Sequence, residues 1–215
     1  MSGRDRLAAV NEIVAAAEGP PALGADMSAS APGADRRPCQ ADAVINGPYR
    51  YNLTRIWANP DRPRLCGWAM LNPSVADAQR DDQTVRRCRA YSTAWGFDGL
   101  IIRNLFAWRA TDPAELARVD DPVGPDNDTW LSSRWDGVER LIVAWGGGRY
   151  PEIGQRWRHV ADLLAPLRPL CLRTTAAGQP VHPLRQRADL LPAPWPIPPI
   201  PADRRTAPSQ STRKA

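Results

Sequence analysis

The chain has 215 residues, 43% of them hydrophobic, and a formal net charge of +5. That is enough length for one sizeable core, but no apolar run approaches the ~20 residues that cross a bilayer. The four cysteines lack any C-x-x-C spacing, and no cofactor fingerprint stands in the chain, so neither metal nor cofactor is expected.

Residues 1–43 are rich in Ala, Gly and Pro, with one short helical pattern near Leu7 to Ala17 and no continuous apolar core of a signal peptide. They read as a flexible N-terminal tail on a chain expected in the cytoplasm. One α/β domain is expected over 44–191. Residues 192–215 hold "PAPWPIPPIP", where proline removes backbone donors, and read as a basic, polyproline-like tail. All but one of the 28 basic residues are arginine. The positive balance therefore permits a phosphate-bearing partner without demanding one.

The alternating segment "YRYNLTRIW" (49–57) predicts an edge strand. Four short apolar runs follow, at 65–71, 99–103, 141–145 and 170–172, each ending in polar or turn-forming residues. Helical patterns lie between them: Asp82 to Trp95, Pro113 to Arg118, Asn127 to Val138 and Pro151 to Leu164. In the first, carboxylates open the helix, Val85, Cys88 and Tyr91 share a face, and Gly96 closes it. Alternating strands and helices predict a three-layer α/β/α sandwich with a mostly parallel central sheet of about four or five strands.

In such sheets ligands bind beyond the carboxyl ends of the strands. That rule gathers Asn72, Pro73 and Ser74, then Asn104 with Trp108 and Arg109, then Trp145, then His182 at one edge. Asn72-Pro73-Ser74 is equally compatible with an ordinary turn, and Asp77, Asp81 and Asp82 with helix caps. Asn104, an amide directly after "LIIR", needs partners if buried and could read a base. Arg86 and Arg87 fit a solvated helix face or phosphate contacts. Asn127 or Asp128 in "GPDND" reads as a helix cap, and Gly146-Gly147-Gly148 is not a phosphate loop, since no Gly-Lys-Ser/Thr follows. His182 sits in a loop, where a histidine serving only packing is unusual, whereas His159 lies mid-helix.

Residues 49–191 resemble the bacterial and phage family called domain of unknown function 1643. The matching stretches are "YRYNLTRIW", "MLNPSVADAQRDDQTVRRC", "WGFDGLIIRNLFAWRATDP", "DPVGPDND", "AWG" and "TTAAGQPVHPL". The layout is also similar, more distantly, to the uracil-DNA glycosylase superfamily. There a first strand ends in Gly-x-Asn-Pro-Gly, whose Asn positions the attacking water, and Asn72-Pro73 matches its Asn-Pro. A later strand ends in an Asn that reads the pyrimidine edge, matched by Asn104. A late His-Pro-Ser loop supplies a His that stabilises the departing base, matched by His182-Pro183. Met70 and Leu71 stand where a glycine is expected, Ser74 replaces the closing glycine and Leu184 the late serine.

The resemblance implies a glycosylase-like fold and an enzyme of the hydrolase type that cleaves an N-glycosidic bond in DNA or a nucleotide. Asn72 or Asp77 would hold the water, His182 would donate to the leaving base, and Asn104 would select it. Pro73, Ser74 and Trp145 would complete the ligand site, Trp108 would stack, and Arg86, Arg87 and Arg109 would hold phosphates. The alternatives are a non-catalytic nucleic-acid or nucleotide-binding module, or a hydrolase or transferase acting on a free modified nucleotide. Oligomeric state is open.

Overall fold

Two sets of side chains leave the central strands in alternation, and each finds its own apolar cluster. The computed structural model describes residues 39–133 and 135–198. Seven strands form one sheet: β1 (Gln40–Asn46), β2 (Tyr49–Ile56), β3 (Leu65–Met70), β4 (Gly99–Asn104), β5 (Val138–Val143), β6 (Leu170–Cys171) and β7 (Ala193–Pro194). Their order is β1-β2-β4-β3-β5-β6-β7. The four middle strands are mutually parallel, and antiparallel pairs close both edges, β2 on β4 and β7 on β6.

The architecture is α/β, but the sheet is mixed and has seven strands where four or five mostly parallel ones were expected. Two differences account for this. Segment 49–57 is not an edge, because β1, whose first four residues fall in sequence that reads as tail, pairs along it. The proline-rich sequence still supplies a two-residue strand at the opposite edge, where few ladder donors are needed. β1 begins before residue 44, and β7 lies after residue 191. The segments 1–38 and 199–215 lie outside the described residues.

Helix α1 (Gln83–Ala94) starts at Asp82, whose carboxylate accepts from the Val85 N–H at 2.8 Å. It ends at Trp95 and Gly96, the latter at φ +82°, where only glycine is unstrained. Its buried Val85, Cys88 and Tyr91 pack on Cys66, Trp68, Met70, Leu100, Ile102 and Ile142. Helices α2 (Asn127–Ser132) and α3 (Arg156–Leu164) cover the other face. There Leu131, Trp157, Val160, Ala161 and Leu164 meet Ala69, Ile101, Leu141 and Val143. The 113–118 pattern is a 3-10 turn, Pro113–Ala117, and the 127–138 pattern stops at Ser132 before β5 begins.

Cys66, Cys88 and Cys171 are buried. Burial pushes the Cys66 thiol up to about 12, as expected of a small packed hydrophobe rather than a nucleophile. No helix among the described residues is long and apolar enough to cross a membrane.

Candidate functional site

A cleft of about 490 Å³ opens where β3 and β4 end, on the α1 face of the sheet. Asn72, Ser74, Asn104 and His182 line it, joined by Arg50, Asp82 and Thr84. Asn72, Asn104 and His182 thus bring three separate stretches of chain together near the strand ends, with Arg50 from a fourth.

Asn104 is the last residue of β4, paired in register with Met70. It is 1% exposed, and neither its Oδ1 nor its Nδ2 has a hydrogen-bond partner among the described residues. A buried amide with both ends idle costs free energy unless something else partners it. Its backbone, by contrast, is held firmly. Asn127 Nδ2 donates to the carbonyls of Asn104 (3.1 Å) and Leu105 (2.8 Å), and Arg156 Nε donates to Leu105 at 2.6 Å. Asn127 is therefore not the cap of α2. It is fully buried and positions the strand end that carries Asn104.

Asn72 follows β3. Its Nδ2 donates to the carbonyls of Ala110 (2.8 Å) and Pro73 (3.0 Å). Both partners are acceptors, so the amide orientation is set by chemistry and Oδ1 is the atom left for a ligand or water. Pro73 is buried and its carbonyl also accepts from the Ala110 N–H at 2.9 Å. Its role is to tie the two loops together. The hydroxyl of Ser74 makes no hydrogen bond among the described residues.

His182 enters from the loop after β6. Its Nδ1 accepts from the Leu184 N–H at 3.3 Å, which leaves Nε2 to carry the proton and donate. Burial lowers its pKa, partly countered by Asp82, so the ring is neutral near pH 7. Gly146, at φ +84°, lets the β5 loop pass beside it; a Cβ there would lie 3.5 Å from that of His182. Of the glycine triple, only Gly146 lies against His182, and none of the three lines the cleft.

Other expected site residues lie elsewhere. Asp77 Oδ1 accepts from the Gln79 and Arg80 N–H groups, both at 2.9 Å, and these backbone bonds hold its carboxyl below the usual range. It closes a turn outside the cleft. Trp145 leaves the strand on the opposite face, where its Nε1 donates to Gln179 at 2.8 Å and its ring packs edge-on against Trp195. A period of two assigns residues 143 and 145 to that face. Trp108 packs edge-on against Tyr49 and on the α2-α3 cluster. Arg86 donates to the Asp81 carbonyl, and Arg87 reaches the Gln186 carbonyl and stacks over Tyr91. Neither lines the cleft. Arg109 borders a smaller recess next to Ser74 and Thr111, with its buried Nε unpartnered.

Arg50 is the cleft residue that the sequence pattern hides. Val44 pairs with Asn52 and Ile45 with Arg50, so Tyr51 has no partner in β1 and forms a β-bulge. Asn52 accepts from Arg103 on the α2 face, and strict alternation would place Arg50 there too. The extra residue instead sends Tyr51 to stack on Trp130 and Arg50 to the cleft.

The family comparison agrees with this core. A family model described as "Protein of unknown function (DUF1643)" matches residues 50–184, more than half of the chain. The chain belongs to that family. The matched stretch begins at Arg50 and ends at Leu184, and so spans every cleft residue named above. No curated protein and no solved structure matches the chain.

Proposed function

We propose that the cleft holds a nucleobase on its sugar and cleaves the N-glycosidic bond between them, in a fold akin to that of the uracil-DNA glycosylases. The observation that carries this reading is Asn104, a buried amide on a clamped strand end with both polar atoms idle. An amide offers one donor and one acceptor side by side, which complements the paired donor and acceptor on a base edge. Protein partners for it are lacking among the described residues, so a ligand that supplies both recovers the cost of leaving them unpaired.

The remaining residues suit the reaction. Asn72 Oδ1 accepts a hydrogen bond from a water and holds it against the anomeric carbon. As the water oxygen bonds to that carbon, the C–N bond breaks and its electron pair leaves with the base. His182 Nε2–H donates to the base oxygen on which that charge settles. Asp82, the carboxylate of the cleft lining, receives the water proton, and the departing base is reprotonated at nitrogen. Asp82 thus takes the place that the sequence suggested for Asp77.

The test is chromatographic detection of free base from nucleotides and from single- and double-stranded oligonucleotides containing uracil, mismatched thymine, hypoxanthine or modified pyrimidines. Base released by the wild type, lost in Asn104→Ala and reduced about 10²–10³-fold in kcat by His182→Ala, supports the reading. Saturable binding without any base release contradicts it and leaves a recognition module.

A further inference from the structure

The cleft holds a deeply buried cation on which the Asp82 and Asp77 carboxylates act only through space. Arg50 is 2% exposed and lines the cleft, yet no carboxylate pairs with it among the described residues. Its Nη1 donates to the Ala76 carbonyl at 2.7 Å. Nε is buried and unpartnered, and Nη2 makes no hydrogen bond among the described residues. The free pair, Nε–H and Nη2–H, is the side of the guanidinium that grips two oxygens of one anion. Burial lowers its pKa to about 10, which still leaves it charged at neutral pH.

A second feature of the cleft has the same sign. Gln83 and Thr84 line the cleft in the first turn of the twelve-residue helix α1. Their N–H groups have no intrahelical acceptor, because the Asp82 side chain satisfies only that of Val85. A guanidinium and a helix start at one cleft form an oxyanion-binding arrangement. The Asp82 carboxylate opposes it, so the anion sits toward Arg50.

Resting on the nucleotide reading above, we infer that Arg50 and the start of α1 bind the terminal phosphate of a free nucleoside monophosphate, held in the same cleft as its base. The depth of Arg50 decides between the two sources of nucleotide phosphate. A group that reaches a guanidinium 2% exposed is a chain end, since an internal phosphodiester has chain leaving from both sides. Two of the three arginines expected to hold phosphates serve other partners: Arg86 holds the Asp81 carbonyl, and Arg87 holds that of Gln186.

The experiment is calorimetric titration of the whole chain with the four standard deoxynucleoside 5′-monophosphates and deoxyuridine 5′-monophosphate. Each is compared with its own nucleoside, with inorganic phosphate and with oligonucleotides lacking terminal phosphates. At least one monophosphate is expected to bind about tenfold or more tightly than its nucleoside, and inorganic phosphate to compete. Arg50→Gln, checked by thermal melting, removes the difference while nucleoside binding persists; Arg50→Lys, a second variant that keeps the charge, retains part of it. Equal affinity for nucleotide and nucleoside overturns the phosphate site, as does preference for the unphosphorylated oligonucleotide or no binding of any nucleotide. Because this readout is binding, absence of base release contradicts the glycosidic reading alone.

Discussion

Asn104 is an amide without side-chain partners among the described residues, whereas the residue that holds its strand end, Asn127, has its Nδ2 fully engaged. Asn127→Ala removes two bonds to buried carbonyls and leaves them unsatisfied. We expect a loss of about 2–3 kcal/mol in urea unfolding, with weaker nucleotide binding as Asn104 loses its support. The place of Asn104 at a strand end was legible in "LIIRN", where a polar residue closes an apolar run; that both its polar atoms stay idle was not. Its clamp was not, because "GPDND" has the composition of a helix cap and nothing local shows that Asn127 turns inward. His182 carries a pH prediction. Its folded pKa lies below the ordinary 6.5, so the unfolded chain takes up a proton first on acidification. Stability is then full above about 6.5 and declines as pH falls below it, through the lowered folded pKa; His182→Gln flattens that limb in chemical denaturation.

At the scale of elements, the loops around the cleft are fastened to secondary structure by long polar side chains. Arg55, its side chain 1% exposed, pairs with Asp81 at 2.8 Å and also reaches the Asp77 carbonyl. This fixes the 77–82 loop against β2. Asp81→Ala would leave that guanidinium buried without its partner, at a cost of about 3 kcal/mol in a denaturation midpoint. Arg87 and Tyr91 do the same for the loop beyond His182, through the carbonyls of Gln186 and Arg187. Arg87→Ala is expected to raise KM several-fold with a smaller change in kcat, in steady-state assays on whichever nucleotide releases base. The helix α1 was readable from its caps and its apolar spacing. The functions of Arg86 and Arg87 were not, because an arginine on a helix looks alike whether it meets phosphate, solvent or a neighbouring carbonyl. The bulge at Tyr51 was invisible for a different reason. It depends on how β1 pairs with β2, and the first four residues of β1 read as tail.

Across the whole molecule, the parallel centre of the sheet follows from apolar runs buried on both faces, and both edges depend on pairings that sequence pattern does not declare. Ala193-Pro194 and Trp195 show this. A proline-rich segment forms the last strand, and its tryptophan packs between Trp145 and Trp157 while donating to the Gly178 carbonyl at 3.0 Å. Side-chain parity then separates function from packing: even-numbered Asn104 reaches the cleft, and odd-numbered Trp145 joins the opposite core. A base bound in the cleft meets the Asn104 amide directly. The most direct measurement is the Asn104 side-chain amide resonance in a ¹⁵N–¹H correlation spectrum, assigned by its loss in Asn104→Asp, during titration with the deoxynucleoside monophosphates. The account predicts a saturable shift of that resonance with at least one of them. A resonance that stays in place while a nucleotide saturates the protein would contradict it.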